Sequence, residues 1–259
     1  MPVLEREGEP LHYRLDGPDD APVLVLTHSL GTGLALWQPQ LAAFSRRFRV
    51  LRHDCRGHGG SVVSPSGYGI DRLGRDVLRL LDGLGIARAH YCGLSMGGMI
   101  GIWLGVNAPE RLERLVLCNT AARIGTTELW NSRIAMVEQG GMAAVIPPVL
   151  ERWFTAGFLA AAPDRVAPVA AMLRACPAVG YAASCAAIRD MDYRDAVGSI
   201  RVPTLVIAGT HDTATPLEDG RVLAERIADA RYEELPAPHL SNIETPERFT
   251  EAVLAFLAA

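Results

Sequence analysis

The chain of 259 residues contains no lysine; all 25 of its basic residues are arginine. Without an ε-amine there can be no Schiff-base lysine, no lysine-anchored pyridoxal cofactor and no Walker-type phosphate loop. Cysteine is sparse and odd in number, and Cys55, Cys92, Cys118, Cys176 and Cys185 are too scattered to suggest a disulfide framework. Cys92 and Cys118 fall inside apolar runs, where a reduced buried thiol is the default. No uninterrupted apolar run approaches membrane-spanning length. Residues 1–7, Met-Pro-Val-Leu-Glu-Arg-Glu, lack the apolar core of a signal peptide. A cytosolic location, with no membrane partner, is therefore expected. The net charge is −4 and no basic stripe interleaves with aromatics, which argues against a nucleic-acid partner. Internal repeats and low-complexity tracts are absent as well.

The residues present describe an enzyme-sized α/β chain. With 49% hydrophobic and 21% charged residues it can bury a substantial core as one domain. Residues 1 to 120 alternate strand and helix patterns. A hairpin over Val3 to Arg14 precedes apolar strands at 23–26, 49–52 and 115–118, and Ile70, Leu73, Val77, Leu80, Leu81 and Leu84 recur at helical spacing. From 121 to 197 the strand signals stop. Alanine-rich helical stretches replace them, interrupted by Gly140-Gly141, Pro147-Pro148, Pro163, Pro168 and Pro177. The βα rhythm returns near 203. The pattern predicts a doubly wound, mostly parallel sheet, with residues 1–120 and 198–259 forming the core and 121–197 a helical cap over the strand ends.

One stretch carries more chemistry than any other. An apolar run from Ala89 to Leu94 enters Gly93-Leu94-Ser95-Met96-Gly97, and a helical pattern (Met99, Ile102, Trp103, Val106) leaves it. Gly-x-Ser-x-Gly between strand and helix places a serine on a sharp turn, its hydroxyl exposed at the sheet edge. Two further strand ends supply partners. The run 204–209 ends at Thr210-His211-Asp212, and 232–235 is followed by a loop carrying His239. The order Ser95, Asp212, His239 is that of the α/β-hydrolases. Such chemistry also needs donors for an oxyanion. The backbone N–H of Met96 is one, and Leu30, in the loop Thr27-His28-Ser29-Leu30-Gly31-Thr32, is expected to give the other, with Ser29 where glycine often stands.

His53-Asp54-Cys55-Arg56-Gly57-His58 packs four metal-binding side chains into six residues. It continues Gly59-Gly60-Ser61, however, giving the Asp-x-Arg-Gly-x-Gly-x-Ser that recurs in α/β-hydrolases. No second ligand pair stands at a typical spacing, so no metal is expected.

Six segments together resemble the 3-oxoadipate enol-lactonases: His-Ser-Leu-Gly-Thr (28–32), Leu-Arg-His-Asp-Cys-Arg-Gly-His-Gly (51–59), Cys-Gly-Leu-Ser-Met-Gly-Gly (92–98), Leu-Cys-Asn-Thr-Ala-Ala-Arg-Ile-Gly (117–125), Arg-Trp-Phe-Thr (152–155) and His-Leu-Ser-Asn-Ile-Glu (239–244). The likeness spans nearly the whole chain. Its most specific parts are Cys-Asn-Thr-Ala-Ala-Arg-Ile-Gly and Ser-Asn-Ile-Glu. His28 departs from the family, where a small polar residue such as asparagine is expected, and no decarboxylase-like extension is expected after the C-terminus. The resemblance implies hydrolysis of 3-oxoadipate enol-lactone (4-carboxymethylbut-3-en-4-olide) in aromatic catabolism through an acyl-enzyme, with no cofactor. The substrate carboxylate calls for a cationic partner. Among the cap arginines (Arg123, Arg133, Arg152, Arg165, Arg174 and Arg189), Arg133 is the candidate. It lies one helical turn after Trp130, so the two would present an aromatic wall beside a cation. Trp153 is a second wall candidate. A broader carboxylesterase, a C–C hydrolase on the same scaffold and a triad-retaining ligand receptor remain as alternatives.

Overall fold

The computed structural model describes residues 2–5, 9–64 and 68–259. Its strands are β1 (Val3–Leu4), β2 (Leu11–Asp16), β3 (Val23–Thr27), β4 (Arg49–His53), β5 (Ala89–Leu94), β6 (Leu112–Cys118), β7 (Thr204–Gly209) and β8 (Arg231–Leu235). They form one sheet in the order β1-β2-β4-β3-β5-β6-β7-β8. β1, β2 and β4 pair antiparallel, and β4 through β8 are parallel. The expected hairpin is thus β1–β2, its residues 6–8 lying outside the described residues. Every residue of β7 is buried and β3 is buried from Leu24 onward, as suits apolar strands covered on both faces. β8, at the edge, alternates exposed and half-buried positions.

The helices of the first half are α1 (Gln38–Phe44), α2 (Ile70–Gly83) and α3 (Met96–Asn107). α2 buries Ile70, Leu73, Val77, Leu80 and Leu81 as one stripe, while Leu84 stands just past its end. α3 is buried almost all round, so it needs no polar face. Its Gly101 lies so close to the sheet that an added Cβ would come within 2.8 Å of the Tyr91 ring.

Between β6 and β7 lie α4 (Thr127–Trp153), α5 (Ala156–Ala161), α6 (Pro163–Ala175) and α7 (Ala178–Asp190). After β7 come α8 (Leu217–Arg226), α9 (Ser241–Glu244) and α10 (Pro246–Leu257). Two expected interruptions are not breaks. Pro147 and Pro148 lie inside α4 and Pro168 inside α6, and the sharp change of direction in α4 is instead at Gly141 (φ 63°, ψ −170°). Pro147 and Pro148 are exposed, whereas Met142, Val145, Ile146 and Val149 on the same helix are buried. Packing of that apolar face holds the helix despite the lost backbone bonds. Among the described residues no single helix is long and apolar enough to cross a membrane. All five cysteines are free and buried.

Parallel register fixes where the functional loops emerge. Thr27 pairs with Gly93, Leu94 with Cys118, Cys118 with Ile207 and Gly209 with Leu235. The residues after β3, β5, β6, β7 and β8 therefore leave the sheet at one edge, as is general for ligand sites in open α/β sheets.

Candidate active site

Ser95 sits between β5 and α3 with φ 57° and ψ −114°. A non-glycine residue held there stores about 1–3 kcal/mol of strain, which the surroundings must impose. They do so through backbone bonds: Ser95 N–H donates to Cys118 O (2.9 Å), while Ser95 O accepts from Met99 N (2.9 Å) and Thr120 Oγ1 (2.8 Å). The flanking glycines are steric necessities. A Cβ on Gly93 would stand 2.1 Å from Gly97 O, and one on Gly97 would stand 2.2 Å from Thr27 O.

Asp212 lies in the turn after β7, with its carboxylate saturated by donors. Oδ1 accepts from Ala214 N (2.8 Å) and Thr215 N (3.0 Å). Oδ2 accepts from Thr215 Oγ1 (2.7 Å), Asn119 Nδ2 (3.0 Å) and His239 Nδ1 (2.8 Å). Burial pushes the carboxyl up, but His239 and Thr215 outweigh it and hold Asp212 down at about 2. An ionised carboxylate at Nδ1 assigns the proton to that nitrogen and leaves His239 Nε2 as the acceptor. The ring of Trp153 stacks on that of His239, centroids 6.0 Å apart.

The loop after β3 is braced by two buried histidines. His28 Nδ1–H donates to Ser29 O (2.7 Å) and its Nε2 accepts from Cys55 N (2.9 Å). His58 Nε2 accepts from Gly31 N (2.9 Å) and its Nδ1–H donates to Arg56 O (3.1 Å). Burial lowers His28 to about 4 and His58 to about 3, so both are neutral near pH 7, as their roles of one donor and one acceptor require. Here the residue expected as asparagine works as a strut to the Cys55 backbone. The N–H of Leu30, held by this frame, has no partner among the described residues. The N–H of Met96, first residue of α3, stands outside the helical ladder.

Other members of the His53–His58 segment are likewise engaged by protein groups. His53 Nε2 lies 2.9 Å from Thr27 Oγ1, Asp54 pairs with His12 Nδ1 (2.6 Å), and Arg56 forks onto Asp76 and Glu9. Among the described residues, no three His, Cys, Asp or Glu side chains are grouped to hold a metal.

A cavity of about 240 Å³ joins these parts. Ser95, His239, Ser29 and Leu30 form its base. Ile124, Leu129, Trp130, Arg133, Arg152, Trp153 and Ile188 close it from the helical side, and Thr213, Ala214, Pro216 and Asp219 from the loop and helix after β7. Arg133 lies over the Trp130 ring, 5.5 Å from its centroid, as the i, i+3 spacing predicts. Trp130 Nε1 is anchored on Ile124 O (2.6 Å). Arg152 enters the same space. Neither arginine has a carboxylate partner among the described residues, and burial together with Arg133 lowers the Arg152 pKa. Ser29 Oγ is buried without a hydrogen-bond partner among the described residues.

The site thus brings together Ser95, Asp212, His239, Leu30, Met96, Ser29, Trp130, Arg133 and Trp153. Sequence reasoning missed Asn119 and Thr215, which complete the carboxylate's donor set, and Asp219 on the cavity wall. Asn119 lies in the Cys-Asn-Thr-Ala-Ala-Arg-Ile-Gly segment and has φ 45°, a conformation for which asparagine is a recognised choice.

A serine elbow at the edge of a mostly parallel sheet, with an Asp–His pair from the ends of β7 and β8, defines an α/β-hydrolase. Residues 22–155 match the family model described as alpha/beta hydrolase fold. Two curated relatives from Acinetobacter baylyi, 3-oxoadipate enol-lactonases 2 and 1, are 41% and 39% identical, each over 98% of this chain and 96% of the relative. The crystal structure of the enol-lactonase from Burkholderia xenovorans LB400 superimposes with a TM-score of 0.98 at 48% identity, covering 100% of both chains. The chain belongs to the α/β-hydrolase family and, within it, to the 3-oxoadipate enol-lactonases.

Proposed function

We propose that the protein opens 3-oxoadipate enol-lactone to 3-oxoadipate through an acyl-enzyme on Ser95. The observation that carries this reading is the composition of one cavity: an elbow serine, a histidine oriented by a buried carboxylate, and two arginines without carboxylate partners among the described residues. Ser95 Oγ attacks the lactone carbonyl as His239 Nε2 takes its proton, and Asp212 stabilises the imidazolium. The N–H groups of Leu30 and Met96 stabilise the tetrahedral oxyanion. The ring C–O bond then breaks, and the enol oxygen takes its proton from His239. Ketonisation of the freed enol makes the opening effectively irreversible. Water deprotonated by His239 attacks the acyl carbon and releases Ser95. Arg133, with Arg152 beside it, binds the substrate carboxylate; Trp130 and Trp153 wall the ring, and Ser29 borders it.

In this reading residues 121–197 act as a cap that closes the cavity, no cofactor takes part, and the enzyme works in the cytosol in aromatic catabolism. The family's lactonase name and the arginine pair favour a substrate that bears a carboxylate over a neutral ester. The test is turnover of the enol-lactone beside a neutral aryl ester by purified protein. Ser95→Ala is expected to lose several orders of magnitude on both, and Asp212→Asn about 10⁴-fold in kcat, because its amide favours the wrong imidazole tautomer. An alanine variant keeping more than about a tenth of wild-type turnover would exclude Ser95 as nucleophile, since triad nucleophiles contribute far more.

A further inference from the structure

The two sequence segments Arg-Trp-Phe-Thr (152–155) and Ser-Asn-Ile-Glu (241–244) lie far apart in the chain and meet in space. Glu244, the last residue of α9, accepts from Thr155 N at Oε2 (3.1 Å) and from Thr155 Oγ1 at Oε1 (2.6 Å). Leu240 N donates to Trp153 O (3.3 Å), and the Trp153 ring stacks on His239. Arg165 of α6 donates to Ile243 O while lying over the Phe158 ring, which in turn stacks on Phe154. The other side of the same short helix is tied to the core. Ser241 Oγ donates to Asn119 Oδ1 (2.6 Å), and Asn242 bonds Leu36 O (3.1 Å) and Gln40.

Each residue of this four-residue run therefore bonds either the sheet side or the helical side of the cavity. We infer that Glu244 is a positioning residue: its two-pronged grip on Thr155 locks the end of α4 onto the His239 loop, so that Trp153 meets the His239 ring and Arg152 enters the cavity in register with it. The inference rests on the catalytic reading above but not on the identity of the lactone. Both prongs end on one residue at the α4–α5 junction, three positions after Arg152, so a small rotation there moves Arg152 and Trp153 together. Misplacement of a reacting group by about 1 Å costs on the order of a hundredfold in rate. Glutamine can rebuild the grip, its Oε1 accepting from Thr155 N and its Nε2 donating to Thr155 Oγ1. Alanine cannot.

The experiment measures kcat and KM on a neutral aryl ester, and the inhibition of that reaction by adipate as a carboxylate probe, in wild type, Glu244→Ala, Glu244→Gln and Thr155→Val. Lactone turnover is followed alongside. Glu244→Ala is expected to lose at least about tenfold in kcat with little change in aryl-ester KM, and to weaken adipate inhibition by about tenfold. Glu244→Gln should stay within about threefold of wild type on both readouts, and Thr155→Val should fall between. A Glu244→Ala protein with wild-type kcat and adipate inhibition overturns the proposal, and so does a Glu244→Gln protein as impaired as Glu244→Ala. If Glu244→Ala does not fold, Thr155→Val decides in the same terms. Failure of wild-type protein to turn over the lactone, with the aryl-ester and adipate results as expected, removes the lactone reading and leaves the positioning role standing.

Discussion

Asn119 Nδ2 lies 3.0 Å from Asp212 Oδ2, while Asn119 Oδ1 accepts from Ser241 Oγ at 2.6 Å. One amide thereby joins the residue after β6 to the turn after β7 and to the helix that follows His239. The backbone at Asn119 has φ 45°, so replacement has two separable costs. Alanine loses a bond to a charged group, worth about 1.5–3 kcal/mol, and adds about 1 kcal/mol of left-handed strain. Glycine loses the same bonds without the strain. Urea unfolding should rank wild type above Asn119→Gly and that above Asn119→Ala, the last about 3 kcal/mol below wild type. An alanine variant as stable as the glycine variant would refute the backbone part of this account.

The sheet and the three strand-end residues were legible in the sequence because periodicity and local turn chemistry encode them. Gly93 and Gly97 flank Ser95 for steric reasons that any sequence with this elbow must satisfy, and β7 reads as a strand because both its faces are covered. Thr215 and Asn119 were not legible. Their function is a bond to a carboxylate brought near only by the register of β6, β7 and β8, and nothing local in Thr-Ala-Thr or Cys-Asn-Thr announces it. The prolines misled for a related reason: Pro147 and Pro148 have strong local preferences, overridden by the buried face of Met142, Val145, Ile146 and Val149.

Acid should loosen the loop after β3 before it titrates Asp212. Burial lowers His28 and His53 to about 4 and His58 to about 3, against an ordinary 6.5. The unfolded chain binds these protons first. The contribution of the neutral rings is therefore full above pH 6.5 and is lost as pH falls from 6.5 toward 4 and 3, on the order of 3 kcal/mol per ring at the limit. Asp212, held at about 2, adds loss only below its ordinary 3.8. Urea midpoints should fall steeply between pH 6.5 and 4. His28→Asn, which removes one such ring, should reduce the slope by about one proton, or about 1.4 kcal/mol per pH unit. An unchanged slope would show that His28 does not report the transition.

Asp219 gives the cavity wall a group that titrates near working pH. Burial, then Asp212 and Glu218, push its carboxyl up to about 6, while Arg133 and Arg152 lie on the same cavity's helical side. Above pH 6 its charge opposes an incoming carboxylate, by about 0.5–1 kcal/mol for a partly screened pair. KM for the lactone should therefore rise two- to fivefold, roughly, from pH 5.5 to 7.5. Asp219→Asn should abolish that rise, and aryl-ester KM should be indifferent to both. A pH-dependent lactone KM that persists in the asparagine variant would assign the effect to another group.

The two cavity arginines distinguish a lactonase for an anionic substrate from a general esterase. Arg133 is held against Trp130, and Arg152 stands beside Trp153 at the end of α4. Both are half-buried, so the loss on removing either is smaller than for a fully buried pair, about 1–3 kcal/mol, or roughly 5- to 150-fold. If the contact is equally strong in ground and transition states, the loss in Arg133→Gln appears in lactone KM, with kcat and the aryl-ester constants nearly unchanged. Arg152→Gln should act in the same direction. Because the two guanidiniums share one carboxylate and repel each other in its absence, their effects should not add. Once one is gone, the other is relieved of that repulsion and holds the carboxylate alone, so the double variant should lose more than the sum of the two singles. Strict additivity on the lactone would mean that the arginines act on separate parts of the substrate, and equal losses on lactone and aryl ester would mean that the substitutions disturb the packing of α4 instead.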